Sequence, residues 1–178
     1  MSLESTGAIL SRREIQNAIE SGEIIIQPYD PDSVGAASID LTLSNEFRSF
    51  IPCAQPLKVT ERTSYEDITV KTVIPEGETY LLPPGKMCLG ITLERVALSD
   101  KICGLLEGRS RFARLGLLIH ITAGFINPGI NNRQVLEIYN ASNHVLELIP
   151  GTKLCQLIFI RMFGTSKYNG FYKTQNSL

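Results

Sequence analysis

The chain has 178 residues, 43% of them hydrophobic, with 17 basic against 18 acidic side chains and a formal charge of −1. That size suits one globular domain able to bury its own core, and the near balance of charge gives no basis for non-specific attraction to nucleic acid or to an anionic membrane. No apolar run approaches bilayer-spanning length and no apolar signal core opens the chain, so a cytoplasmic protein is expected, with any phosphate-binding patch local.

Residues 1–8 begin with a short, polar, patternless stretch and are expected to form a disordered start ahead of a folded domain over 9–163. Ser11-Arg12-Arg13-Glu14 has the pattern of a capping box, in which the serine hydroxyl accepts an amide proton of the first turn and the glutamate reaches back. Leu10 and Ile15 are spaced as a hydrophobic staple, Ala18 and Ile19 continue the inner face, and Gly22 supplies the stop. One helix of about three turns follows.

The period then changes to two. Ile39, Leu41 and Leu43 alternate with Asp40, Thr42 and Ser44, while Met87, Leu89, Ile91 and Leu93 alternate with Cys88, Gly90, Thr92 and Glu94, the pattern of half-buried strands. Further strands are predicted over 79–82, 102–106, 117–122, 134–140, 145–148 and 153–160, separated by turns such as Pro83-Pro84-Gly85, Asn127-Pro128-Gly129 and Pro150-Gly151. Many short strands without crossover helices favour a sandwich or barrel. Two interruptions are expected: one or two helical turns over 109–115, bracketed by Gly108 and Gly116, and an exposed connection over 60–72. The tail, 164–178, is polar but carries aromatic side chains that could close over a ligand.

Three stretches carry possible chemistry. In Gly108-Arg109-Ser110-Arg111-Phe112-Ala113-Arg114-Leu115-Gly116, three arginines and a serine sit together beside a short helix start, which suits phosphate oxygens or, equally on composition, a solvated basic turn. Val135-Leu136-Glu137-Ile138-Tyr139 places a carboxylate inside an apolar strand, where it could serve as a general base or simply face outward. His120 lies in an apolar run and reads as a hydrogen-bonded core residue, and His144 has no partner at zinc spacing. Cys53, Cys88, Cys103 and Cys155 are widely spaced, so small buried apolar residues are expected rather than a zinc site or disulfides. The zinc-deaminase pattern, a Walker A loop and the dinucleotide glycine motif are absent.

The stretch from Leu106 to Gly129 resembles the signature of the dCTP deaminases of the trimeric dUTPase-like superfamily, in which GRSS-x-x-RLGL is followed by H-x-TA and I-D-PG. The likeness continues through Val135-Leu136-Glu137, Pro150-Gly151, Gln156-Leu157 and Ser166-Lys167-Tyr168, and at the front through the helix, Ala37 to Leu41 and Asn45 to Arg48. Only 53–73 falls outside it. The resemblance implies an all-β, dUTPase-like β-clip, a distorted barrel or jelly-roll with one N-terminal helix and a short helix at the arginine motif. It also implies a homotrimer with active sites between subunits, dCTP or dUTP as ligand, magnesium carried by the triphosphate, and no zinc. Arg109, Ser110, Arg111, Phe112, Ala113 and Arg114 would form the phosphate-binding and catalytic motif. Glu137 would be the general base, Val135 and Leu136 would hold the base, Asn127 would contact the sugar, and the Ala123 carbonyl would orient water. Lys167 and Tyr168 would belong to an arm, 164–178, lying over the nucleotide.

The chain departs from that pattern at Arg111, where the family has serine, at Asn127, where it has aspartate, at Ile130-Asn131-Asn132-Arg133 after the turn, and at Phe171. The arm is also shortened between Arg161 and Lys167. Three functions stay open: dCTP deamination yielding dUTP and ammonia, dUTP pyrophosphatase activity, and a catalytically weak nucleotide-binding regulatory trimer. Deamination is the expectation, because a dUTPase needs a carboxylate where Asn127 stands and an amide cannot take a proton from water.

Overall fold

The structure, a computed structural model, describes residues 8–178, so all but the last residue of the expected disordered start lies outside the described residues. The helix forms as α1 (Arg12–Glu20), with Ile15 and Ala18 buried. Leu10 is buried ahead of it, as a staple requires, and Gly22 ends it with φ +75°. The capping box does not form. Ser11 occupies the cap without a side-chain bond, Glu14 accepts from Asn17 instead of reaching back, and the Arg12 amide of the first turn is satisfied by the Ala36 carbonyl at 2.7 Å.

The rest is β structure: β1 (Ile24–Gln27), β2 (Ile39–Phe50), β3 (Thr69–Val73), β4 (Tyr80–Leu82), β5 (Met87–Leu98), β6 (Ile102–Gly108), β7 (Leu117–Ile119), β8 (Phe125–Ile126), β9 (Asn131–Asn140), β10 (Leu146–Leu148) and β11 (Lys153–Arg161). A four-residue helix, α2 (Ser110–Ala113), interrupts them where the arginine motif predicts it. The expected all-β class with two helices is therefore the observed one.

Nine strands make one curled sheet in the order β7-β9-β5-β2-β11-β6-β8, with β1 on β5 and β3 on β2, while β4 and β10 pair separately. Strand β5 drives the curl. Its first half pairs with β2 and its second with β1, and its register against β2 and β9 shifts at irregularities. Its alternation also misleads. Cys88 and Gly90 face the core on one side, yet Leu89 and Ile91 are buried on the other, at 8% and 0% exposure, beneath the C-terminal segment. The predicted half-buried strand is covered on both faces.

Strands β1, β3 and β8 have no clear alternation and escape the sequence reading. β3 is an exposed edge strand that closes the stretch expected to be a connection. β7 stops three residues earlier than predicted, because His120 takes φ +55° and leaves the ladder. Cys88, Cys103 and Cys155 are buried as expected, but Cys53 is exposed. Among the described residues no helix is long and apolar enough to cross a membrane.

Candidate active site

Strand β9 sorts its side chains cleanly by parity. Gln134, Leu136, Ile138 and Asn140 are buried, whereas Arg133, Val135, Glu137 and Tyr139 point to the other face at intermediate burial. Glu137 and Val135 thus line a cavity of about 460 Å³, while Leu136 is fully buried in the core. Leu136, expected to help hold the base, does not line the cavity, because its parity on β9 turns its side chain into the core. Across β5 the cross-strand partner of Glu137, Leu89, lines the apolar floor with Met87, while Ile91 packs beneath it, and His120, Ala123, Asn127, Phe50, Tyr65, Tyr168, Tyr172 and Gln175 complete much of the wall.

Glu137 is the one carboxylate among the described residues lining this cavity. Thr122 holds it: the Thr122 amide donates to Oε2 at 3.0 Å, and the hydroxyl lies 2.9 Å from Oε1 and 3.0 Å from Oε2. The His120 amide donates to the Glu137 carbonyl at 2.7 Å, so the loop after β7 is tied to the same residue twice. Thr122 was not singled out in the sequence, though it sits inside the H-x-TA motif.

His120 belongs to the cavity wall rather than to the core proper. Its Nε2 lies 2.9 Å from the Ala123 carbonyl, which can only accept, so Nε2 carries the proton and Nδ1, buried, has no partner among the described residues. Burial depresses its pKa, against smaller opposing effects from the Ala123 bond and the Glu137 and Glu107 charges, which favours the neutral ring. The Ala123 carbonyl expected to orient water is therefore itself oriented by His120.

The cavity's cation is committed elsewhere. Arg133 donates from Nη1 to Glu46 Oε1 at 2.7 Å and from Nε to the Thr92 carbonyl at 2.7 Å. Burial works against the Glu46 charge, but hydrogen bonds from Lys71 and Arg133 outweigh it and hold that carboxyl below its usual value. With His120 neutral, nothing in this wall is left to balance a polyphosphate.

The arginine motif is not part of this cavity. Gly116, at φ +80°, turns the chain from α2 into β7 so closely against Ser142 that a Cβ would stand 2.9 Å from it. This fixes α2 at the start of β7, opposite Asn140, whereas Glu137 lies three β9 residues further, roughly 10 Å along the strand. Arg109 is spent within the fold, on Asp40 at 3.0 Å and the Lys153 carbonyl at 2.7 Å. Phe112 enters a smaller apolar cleft with Leu43, Leu115 and Leu154. Ser110, Arg111, Ala113 and Arg114 are exposed, and neither Arg111 nor Arg114 enters an ion pair among the described residues. Within one chain, then, the structure brings Glu137, Val135, Ala123, Asn127 and Tyr168 together and leaves the arginine motif and Lys167 outside the cavity.

Sequence reasoning missed Tyr65 and Gln175 as wall residues, whereas Tyr172 is one of the tail aromatics expected to close over a ligand. The sequence signal of Tyr65 and Gln175 was only that of aromatic or polar residues in connecting segments.

Comparison with known proteins gives a consistent pattern. A family model described as dCTP deaminase-like matches residues 9–162. A protein of Corynebacterium kroppenstedtii called "dCTP deaminase, dUMP-forming" is 44% identical over 154 residues, 86% of this chain and 82% of its own length. One of the same description from Nocardioides is 38% identical over 175 residues, 94% of this chain and 91% of its own. The fold is similar to that of a solved 2'-deoxycytidine 5'-triphosphate deaminase from Agrobacterium tumefaciens, with TM-score 0.68 at 19% identity. That similarity covers 88% of this chain but 49% of the other, so the chain spans about half of that protein's length.

Proposed function

Since the chain belongs to the dCTP deaminase-like family, we propose that its cavity receives the cytosine of dCTP and that Glu137 moves the protons of a hydrolytic deamination. The observation that carries this reading is a single carboxylate, held by Thr122, in an otherwise mostly apolar cavity of about 460 Å³. Water adds to C4 while Glu137 takes one of its protons and delivers it to N3. A second transfer then protonates the amino group, which leaves as ammonia, and C4 becomes a carbonyl. Val135 flanks the base, and the Ala123 carbonyl, set by His120, orients the water.

Neither half of the site is sufficient alone. The cavity holds a base-sized space and a proton carrier without free positive charge, while Ser110, Arg111 and Arg114 offer phosphate donors without a pocket. We propose that a second copy supplies the arginine motif and that the assembly is a homotrimer. Lys167 and Tyr168 begin an arm that lies over the nucleotide. Magnesium enters as a partner of the triphosphate, whose oxygens are the hard ligands it prefers. Light scattering of an active protein should give the trimer mass, and a fully active monomer would exclude a shared site.

The proposed product is dUTP. Cleaving the phosphate chain as well needs a second activated water, and the residue placed for it, Asn127, cannot accept a proton. The names of the relatives favour a second reading in which the product is dUMP. Incubation with dCTP and magnesium, resolving ammonia, dUTP, dUMP and pyrophosphate, decides between them. Ammonia matched by dUTP supports deamination alone, and ammonia matched by dUMP and pyrophosphate overturns the role given to Asn127. Nucleotide binding without ammonia would leave only the regulatory reading.

A further inference from the structure

Tyr65 lies in the stretch, 53–73, to which the sequence resemblance does not extend, yet it lines the same cavity as Glu137. It is set in place before any ligand arrives. Its carbonyl accepts from the Thr69 hydroxyl at 2.7 Å, Arg48 donates to that hydroxyl at 3.0 Å, and the Arg48 guanidinium stands over the Tyr65 ring at 5.5 Å. Burial, the largest influence, raises the phenol's pKa, so the hydroxyl is neutral.

The C-terminal segment runs from the far wall to this residue. It is anchored first where the Tyr168 amide donates to the Pro128 carbonyl at 2.9 Å and the Lys167 stem lies against Gly129, where a Cβ would come within 2.6 Å of it. It is tied next to β9, by Asn132 to the Tyr172 carbonyl at 2.6 Å and by the Arg133 amide to the Gln175 carbonyl at 2.9 Å. The Gln175 amide then donates to the Tyr65 hydroxyl at 3.1 Å, and Leu178 is buried on Leu89 and Ile91, the cross-strand neighbours of Glu137 and Val135. The last residue of the strap covers the apolar surface beside Glu137, so a base that packs on that surface must displace it.

We infer that Tyr65 is the latch of that strap, a residue that holds the C-terminal segment down on the empty site and so sets how readily substrate displaces it. The kinetic consequence rests on the deaminase reading, whereas the latch itself belongs to the ligand-free chain.

Tyr65→Phe keeps the ring and its contact with Arg48 but removes the acceptor, and Gln175→Ala removes the donor. Each should lower the KM for dCTP about fivefold, because losing one neutral hydrogen bond weakens the strap-down form that the substrate must displace. Because both lose the same bond, the double variant should also stand near fivefold and not near twenty-fivefold. In the ligand-free protein, trypsin cleaves after Lys173 through the open strap, so release of the 174–178 peptide should quicken about fivefold in all three variants. Unchanged cleavage, or effects that multiply in the double variant, would overturn the latch. Faster cleavage with an unchanged or raised KM would overturn the competition between strap and substrate. Should the protein release no ammonia at all, the deaminase reading fails and the cleavage series still decides the latch.

Discussion

Glu137→Gln exchanges one carboxylate oxygen for an amide nitrogen of nearly equal size, in a place where Thr122 presents two donors. The structure tells how the variant settles. The amide oxygen can keep the Thr122 backbone bond, 3.0 Å long in the parent, while the new NH₂ donates to the Thr122 hydroxyl, which can accept as well as donate. No donor is orphaned. What disappears is the charge: a hydrogen bond to an anion contributes about 1.5–3 kcal/mol and a neutral one about 0.5–1.5, so the local loss is about 1 kcal/mol. In a domain of this size that lowers Tm by roughly 2–4 °C. Catalysis should suffer far more, because a general base contributes about two to four orders of magnitude and the amide accepts no proton. The assay pairs ammonia release with a thermal melt and with nucleotide binding by calorimetry. The expected pattern is a melt within a few degrees of the parent, retained binding, and kcat reduced at least about a hundredfold. Ammonia released at near the parental rate would refute the assignment of Glu137 as the base.

Thr122→Val keeps the shape and the backbone bond but removes the hydroxyl shared by both Glu137 oxygens. We expect kcat to fall about tenfold with little change in KM, measured by steady-state kinetics, since one charge-assisted bond positioning the carboxylate is lost. His120 should make stability depend on pH. Its folded-state pKa is depressed from 6.5, chiefly by burial, so its contribution is intact above about pH 6.5 and is lost as pH falls through the lower folded value. Urea midpoints should drop across that window, and His120→Asn, which tolerates positive φ, should flatten the drop. Among the thiols, Cys88 is pushed up to about 12 by burial, Cys103 and Cys155 are also raised by burial, and Cys53 alone is exposed. Iodoacetamide at neutral pH should therefore label the native chain once, at Cys53, as read by peptide mass spectrometry.

Local rules act over a few residues, and what they govern was legible in the sequence. Gly108 and Gly116 bracket α2, Gly22 stops α1, and the turns at Asn127-Pro128-Gly129 and Pro150-Gly151 separate strands that do form. The motif resemblance selected Glu137, Val135, Ala123, Asn127 and Tyr168, and these share one cavity. Pairing decided the rest. The capping box of Ser11 and Glu14 was locally plausible but does not form: Glu14 accepts from Asn17, and the first-turn amide of Arg12 is satisfied by the Ala36 carbonyl, a partner supplied by the folded chain. Leu89 and Ile91 read as the one buried face of a half-buried strand, yet Cys88 and Gly90 opposite them are buried as well, because the sheet's core packs on one side and the last residue of the chain covers the other. Arg133 looks available beside Glu137 until β2 brings Glu46 to it from 87 residues away, and Tyr65 becomes a wall of the site only when Gln175 meets it across 110 residues. Those contacts depend on strand order and register, which a one-dimensional pattern does not encode. The sequence determined which side chains are chemically suited to a site; the tertiary structure decided which of them are free to act, because a charge or a surface is free only if no distant residue has reached it first.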